Sequence, residues 1–202
     1  MRAYKRYGKR GFTLVELMIV IAIIGVLAAL AIYGVRRYLA SAKTSEAKNT
    51  VGAIARGAKQ SFERETAQSD LLAGGASSTG ANHALCGSAA ATPAAVPAGV
   101  KYQPKTGPGE DFDAGDAVSG WKCLRFSLTQ AVYYQYNYTK GSAPFSAGLT
   151  GAPVVPAGES FEAAAKGNLD GDVAFSVFAL VGAQENGEMR VATQVFINDE
   201  YE

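Results

Sequence analysis

From Leu17 to Val35 the chain contains no charged side chain, and between Phe12 and Val35 the only charged one is Glu16. At about 1.5 Å of rise per residue, a helix from Phe12 to Tyr33 covers roughly 33 Å, enough to cross the hydrocarbon core of a bilayer. The preceding segment, Met1–Gly11, carries Arg2, Lys5, Arg6, Lys9 and Arg10 and no acid. Such a cluster holds its end of a span on the cytoplasmic side and leaves the C-terminal bulk exported. A secretory signal peptide would carry its small cleavage residue after the apolar run. Here the small residue, Gly11, comes before it. A cut between Gly11 and Phe12 would remove the basic leader and leave the apolar helix on the mature chain.

Glu16 is the anomaly in this segment. A carboxylate costs about 2.5–3.5 kcal/mol at the centre of a membrane helix and less near the interface, where its side chain can reach water. An ionisable group inside a span is by default a functional residue with a partner to be found. Cleavage would create that partner, the α-amine of Phe12. Within one chain this amine lies at a helix N-terminus, which favours a nearby carboxylate. Between chains, the amine of one subunit could meet Glu16 of its neighbour inside an apolar bundle. Loss of either member would strand a buried charge, at a cost of several kcal/mol. Glu16 would then set register and would not act as a catalytic acid.

The run GFTLVELMIVIAIIGVLAALAI, with the basic leader before it, resembles the N-terminal signature of type IV pilins and of the related pseudopilins of type II secretion. The resemblance covers roughly residues 8–65. It implies that a prepilin peptidase cleaves after Gly11, that Phe12 becomes an N-methylated terminus, and that Glu16 governs subunit assembly. It also implies a single-pass precursor in the inner membrane, with identical or related subunits and an inner-membrane assembly machinery as partners. The destination is an extracellular pilus, or a periplasmic pseudopilus if the chain is a pseudopilin. Many pilins have a proline where this chain has Tyr33, and their helix loosens between that proline and a glycine matching Gly25. A glycine costs a helix about 1 kcal/mol and a proline about 3. A straighter, more continuous helix is therefore expected here.

The remaining sequence describes an exported domain. Of 202 residues, 19 are basic and 18 acidic, and the leader holds five of the basic ones. Residues 12–202 thus carry 14 bases against 18 acids, a net of −4. That balance offers no electrostatic footprint for nucleic acid. Cys86 and Cys123 are the only cysteines, and both lie in the exported part. In an oxidising compartment they are expected to pair, contributing on the order of 3–4 kcal/mol by the chain-entropy model. The alternative is two reduced thiols, since no metal-ligand spacing is present.

Val51, Ile54, Ala58 and Phe62 follow Ala47 along one helical face, and no proline occurs before Pro93. These features predict one helix from Phe12 to about Gln68. Its part at 12–35 is membrane-spanning and its part at 36–68 packs on a domain, with Arg36 and Arg37 at the boundary. Residues 69–120, rich in Gly, Ala, Ser, Thr and Pro, read as an irregular connection. Residues 121–202 read as β, with strands at Trp121–Phe126, Val132–Tyr138, Ser160–Ala165, Val173–Val181 and Glu188–Phe196. Gln184-Glu185-Asn186-Gly187 has hairpin-turn chemistry. The predicted fold is α+β: a long N-terminal helix, its first half transmembrane, packed by its second half on an antiparallel sheet of four to five strands. This is also the fold implied by the pilin resemblance.

Three further features bear on function. Tyr133, Tyr134, Tyr136 and Tyr138 would lie on both faces of one strand, as strand formers or as a stacking platform for sugar or DNA. Asn168, Asp170 and Asp172 alternate oxygen side chains as calcium loops do, although Val173 and Ala179 stand where an EF-hand needs Gly and Glu. A tight turn at Asp170-Gly171 is the preferred reading, with Ca²⁺ as the alternative and no other cofactor expected. One histidine, His83, and no phosphate-cradling glycine motif leave no catalytic constellation, so an enzyme is not expected. The sequence therefore predicts a structural filament subunit, major or minor. The alternatives are a pseudopilin and, from another class, an anchored binding module that never polymerises.

Overall fold

A computed structural model describes residues 11–66, 82–141 and 144–201. The basic leader, residues 1–10, lies outside them, as does Gln68 at the predicted helix end. The chain divides into two compact units, Met1–Ala40 and Ser41–Glu202.

A single helix, α1, runs from Leu14 to Glu63. It starts two residues later than predicted, because Thr13 caps it, and it ends before the predicted boundary. After Arg64 the backbone turns extended, and β1 (Glu65–Thr66) pairs with β2 (Asn82–His83). The helix continues unbroken through Gly25 and Tyr33, as expected without a proline. In the first unit the described residues Gly11–Leu39 are all exposed, including Phe12, Leu14, Ile19, Ile24 and Leu30.

The second unit buries the other half of the helix. Ala47, Val51, Ile54, Ala58 and Phe62 are at most 2% exposed, the stripe that the 3–4 spacing predicted. They share one core with the sheet residues Tyr134, Tyr136, Tyr138, Phe161, Ala163, Ala165 and Phe178. The sheet comprises β3 (Ala89–Thr92), β4 (Gln135–Lys140), β5 (Ser160–Gly167), β6 (Ser176–Glu185), β7 (Glu188–Val191) and β8 (Phe196–Asn198). All neighbours are antiparallel, in the order β3-β4-β5-β6-β7. β5 takes one edge of β6. On the other edge β7 pairs with Gly182–Glu185 and β8 with Val177–Ala179, so two short strands share one long one.

The sequence places this sheet correctly but misplaces several parts. The segment predicted as a strand at Trp121–Phe126 is a short helix, α2 (Gly120–Leu124), ended by Arg125 in the left-handed region at φ 53°. Apolar residues at 121, 123, 124 and 126 satisfy either period, and backbone geometry decides between them. Gly120 sits at φ 79°, where an added Cβ would fall 2.7 Å from the Ala114 carbonyl oxygen. The connection at 69–120 is not wholly irregular, because Ala89–Thr92 supplies an edge strand and Asp111–Asp113 a 3-10 turn. The strand predicted at Val132–Tyr138 begins at Gln135, and the one predicted at Val173–Val181 begins at Ser176, leaving Val173 93% exposed. The strand predicted at Glu188–Phe196 breaks after Val191 and resumes at Phe196 as β8. Asn186 and Gly187, at φ 54° and 87°, make the expected hairpin turn.

β5 is buried on both faces, and its polar face is closed by Glu162. This carboxylate is 0% exposed and accepts from the Phe145 N–H (2.5 Å), the Ser146 N–H (3.1 Å) and the Ser146 hydroxyl. Three donors replace the water it gives up. At the C-terminal end, Lys48 of α1 and Glu200 form a 2.6 Å ion pair.

Candidate functional site

The helix N-terminus is built from two side chains three positions apart, Thr13 and Glu16. Thr13 is the cap: its carbonyl accepts the first intrahelical bond, from Leu17 N–H at 3.3 Å. Its hydroxyl accepts from the Glu16 N–H at 3.2 Å. Glu16 reaches back, with Oε2 2.8 Å from both the Thr13 backbone nitrogen and the Thr13 hydroxyl, each of which donates. This reciprocal arrangement is a capping box. It needs Ser or Thr followed three residues later by Glu or Gln, so its signal stands in the sequence as Thr13-Leu14-Val15-Glu16, and the reading of Glu16 from the span alone missed it.

Gly11 and Phe12 precede the helix in non-helical, exposed backbone. Nothing lies within 4 Å of a Cβ built on Gly11, and its φ is outside the left-handed region. The described fold therefore places no demand for glycine at that position. Beyond Glu16, the helix presents apolar side chains in every direction as far as Arg36, and it is the one described helix long and apolar enough to cross a membrane. A helix apolar all round needs an apolar surrounding, either lipid or other helices.

The other candidate residues lie in the second unit. Cys86 and Cys123 form a disulfide, closing a sequence separation of 37. It ties the segment after β2 to α2, next to the Tyr138 hydroxyl, which donates to the Cys86 carbonyl at 3.1 Å. Tyr134, Tyr136 and Tyr138 are each 0% exposed and share one face, so they do not form a platform on both faces of the strand. Tyr133 precedes the strand, with Lys43 Nζ and Lys101 Nζ 4.5 and 4.8 Å from its ring centre. Glu46 ties this strand to α1, accepting from Tyr133 N–H at 3.0 Å and from the Tyr136 hydroxyl at 3.3 Å. No local pattern announces Glu46, because its partners lie 87 and 90 residues away.

Asn168, Asp170 and Asp172 form a turn whose oxygens serve its own backbone. Asn168 Oδ1 accepts from Gly171 N–H, Asp170 Oδ1 from Asp172 N–H, and Asp172 Oδ1 from Ala174 N–H. Asn168 Nδ2 donates to the Asp172 carbonyl at 2.7 Å. His83 stacks beside Phe62 and lies 3.0 Å from its carbonyl oxygen, so it serves as a local strut.

Comparisons with known proteins concern the N-terminal region. The model of the prokaryotic N-terminal methylation motif matches residues 6–32. The type IV major pilin protein PilA of Myxococcus xanthus is 48% identical over 62 residues, 31% of this chain and 28% of that protein. The fimbrial protein EcpC of Eikenella corrodens is 57% identical over 44 residues, 22% of this chain and 29% of that protein. The type IV major pilin protein PilE1 of Neisseria gonorrhoeae is 59% identical over 39 residues, 19% of this chain and 24% of that protein. The chain thus spans under a third of the length of these relatives, and no solved structure matches it. Over this N-terminal region, with its methylation motif and its long apolar helix, the chain is similar to type IV pilins.

Proposed function

We propose that this chain is a structural subunit of a type IV pilus, made as a single-pass precursor and assembled through its N-terminal helix into a filament for adhesion or motility. The observation that carries the reading is the exposed apolar surface from Leu14 to Val35, interrupted near its start by the lone carboxylate of Glu16. A prepilin peptidase would cut after Gly11, and Phe12 would be the residue methylated. The non-helical backbone at Gly11-Phe12 suits a protease, which binds extended chain. Glycine there, which the described fold does not require, suits recognition by that enzyme.

Glu16 has a different task before and after the cut. In the precursor its carboxylate is satisfied by the Thr13 N–H and hydroxyl, which lowers the cost of carrying it into the membrane. After the cut, an ammonium one residue from Thr13 offers a full charge instead of a dipole. Inside a bundle of like helices, that pairing selects the axial register at which amine and carboxylate meet. The protein does no chemistry of its own on this reading, and the cleavage and methylation are done to it by other enzymes.

Glu16→Ala tests the reading. It should leave the precursor in the membrane and exclude the mature chain from sheared surface filaments. Normal incorporation of that variant would overturn the role of Glu16. Recovery of the wild-type chain only from membranes and periplasm, never from sheared filaments, would favour a pseudopilin or a non-polymerising anchored module.

A further inference from the structure

We infer that the Cys86–Cys123 disulfide is polarised: an external thiol attacks it at Cys123, and Cys86 leaves, and later returns, as a thiolate held by Arg64. All the groups involved lie in the second unit, Ser41–Glu202, and the inference does not rest on the membrane or filament readings.

The two sulfurs have different surroundings. Arg64 directly follows α1, and its Nη2 stands 3.9 Å from Cys86 Sγ while donating to the Cys123 carbonyl at 2.6 Å. Its charge therefore lies against one sulfur, and it meets the other cysteine at the backbone. Among the described residues no carboxylate forms an ion pair with Arg64. Burial, together with the nearby Arg125 that ends α2, holds the Arg64 pKa below its ordinary value, but a guanidinium stays charged. Cys86 is also fixed at its backbone. Its N–H donates to the Ser61 hydroxyl at 3.4 Å, and its carbonyl accepts from the Tyr138 hydroxyl at 3.1 Å. An opened Cys86 sulfur thus stays beside Arg64. Cys123 is the more exposed of the two, at 7% against 2%.

The remaining charged groups near the bridge leave this positive field in place. Glu63 pairs with Lys59, and Glu159 pairs with Lys140. Asp116 accepts from the N–H groups of Val118 and Ser119. Lys122 and Arg125 flank Cys123 and Leu124 in sequence, and His83 precedes Cys86 by three residues.

The exchange follows from the leaving group. An external thiolate attacks Cys123 Sγ and forms a new S–S bond there. The old bond breaks, and its electron pair stays on Cys86 Sγ beside the guanidinium. A sulfur whose thiolate is stabilised leaves faster, and an adjacent arginine gives that stabilisation. Attack at Cys86 would instead leave the charge on Cys123, away from Arg64 Nη2. Closure is the reverse: the Cys86 thiolate attacks Cys123 Sγ of a mixed disulfide and expels the external thiolate. The partner is a thiol in one direction and its disulfide in the other, a small molecule of the glutathione class or a dithiol protein. Arg64 is a positioning residue for both directions.

The test uses the full, oxidised chain in detergent, folded as judged by the fluorescence of its single tryptophan. It is treated briefly with reduced glutathione, blocked with N-ethylmaleimide, digested and read by mass spectrometry. The expected product carries glutathione on Cys123 and maleimide on Cys86, in about fivefold or greater excess over the reverse. In Arg64→Gln the excess should vanish and opening should slow, and Arg64→Lys should restore part of both. With the reduced chain, alkylation against pH should give Cys86 a midpoint about one pH unit or more below that of Cys123, and Arg64→Gln should close the gap. A merely structural Arg64 would, when replaced, speed attack at both sulfurs and leave their ratio alone, which would overturn the proposal. Glutathione found equally on both cysteines, found mainly on Cys86, or found on neither while the chain stays folded would overturn it as well.

Discussion

Tyr134, Tyr136 and Tyr138 show how one residue type can serve the core and still bind it to its surroundings. Burial raises the pKa of each phenol well above its ordinary value, and nearby carboxylates add to this: Glu46 for Tyr134 and Tyr136, Glu159 for Tyr138. A proton held more tightly in the folded chain than in the unfolded one stabilises the fold below the unfolded pKa of about 10, and that stability is lost as pH rises beyond it. Each such tyrosine contributes a slope of about 1.4 kcal/mol per pH unit. Alkaline unfolding of the full chain in detergent should therefore steepen above about pH 10. Tyr134 is the informative position, because its hydroxyl is buried without a hydrogen-bond partner among the described residues. Tyr134→Phe should cost little at neutral pH and remove about a third of the alkaline slope, read from urea midpoints between neutral pH and pH 11. An unchanged slope would show that its phenol ionises in the folded protein.

At the scale of elements, the same helix is read by two solvents. Its first half meets whatever surrounds the apolar segment, and its second half meets a core that selects one stripe. Both signals are periodic and local, which is why the helix, the Val51–Phe62 stripe and the Asn186-Gly187 hairpin could be read before any coordinates. α2 could not, because Trp121, Cys123, Leu124 and Phe126 suit two periods and the choice lies with Gly120 and the Cys86 disulfide. The tethers Glu46 and Glu162 were equally silent, since each carboxylate answers backbone N–H groups from distant segments. At the helix start the signal is local, because Thr13 and Glu16 have capping-box spacing. The disulfide gives a prediction at this scale. Cys86→Ser/Cys123→Ser should lower the unfolding free energy of the second unit by about 4 kcal/mol, as the closure entropy of its loop implies. Urea titration of oxidised, reduced and double-variant chains would show this, and equal midpoints would mean that the tertiary contacts alone hold α2 against the sheet.

For the whole molecule, the proposed processing and the folding draw on different residues. Gly11 is outside the helix and touches nothing described, whereas the second unit has its own core, disulfide and ion pairs. Gly11→Val should therefore leave the exported domain as stable as before while the leader stays attached. Intact mass of the membrane form, together with its unfolding midpoint, checks both halves of that statement. A fall in stability would mean that the leader segment supports the fold. Residues 1–11 carry five bases and no acid, whereas residues 12–202 carry 14 bases against 18 acids, a net of −4.

The sharing of β6 by β7 and β8 has a consequence for life in a crowd. The sheet ends in strands of four residues at β3 and β7 and of three at β8, so neither margin offers a long, flat run of free N–H and C=O groups. Long open margins invite other chains to add strands. On the proposed function, copies of this chain would be held in a membrane and then packed side by side at extreme local density. Short margins leave the helix as the favoured way for those copies to join.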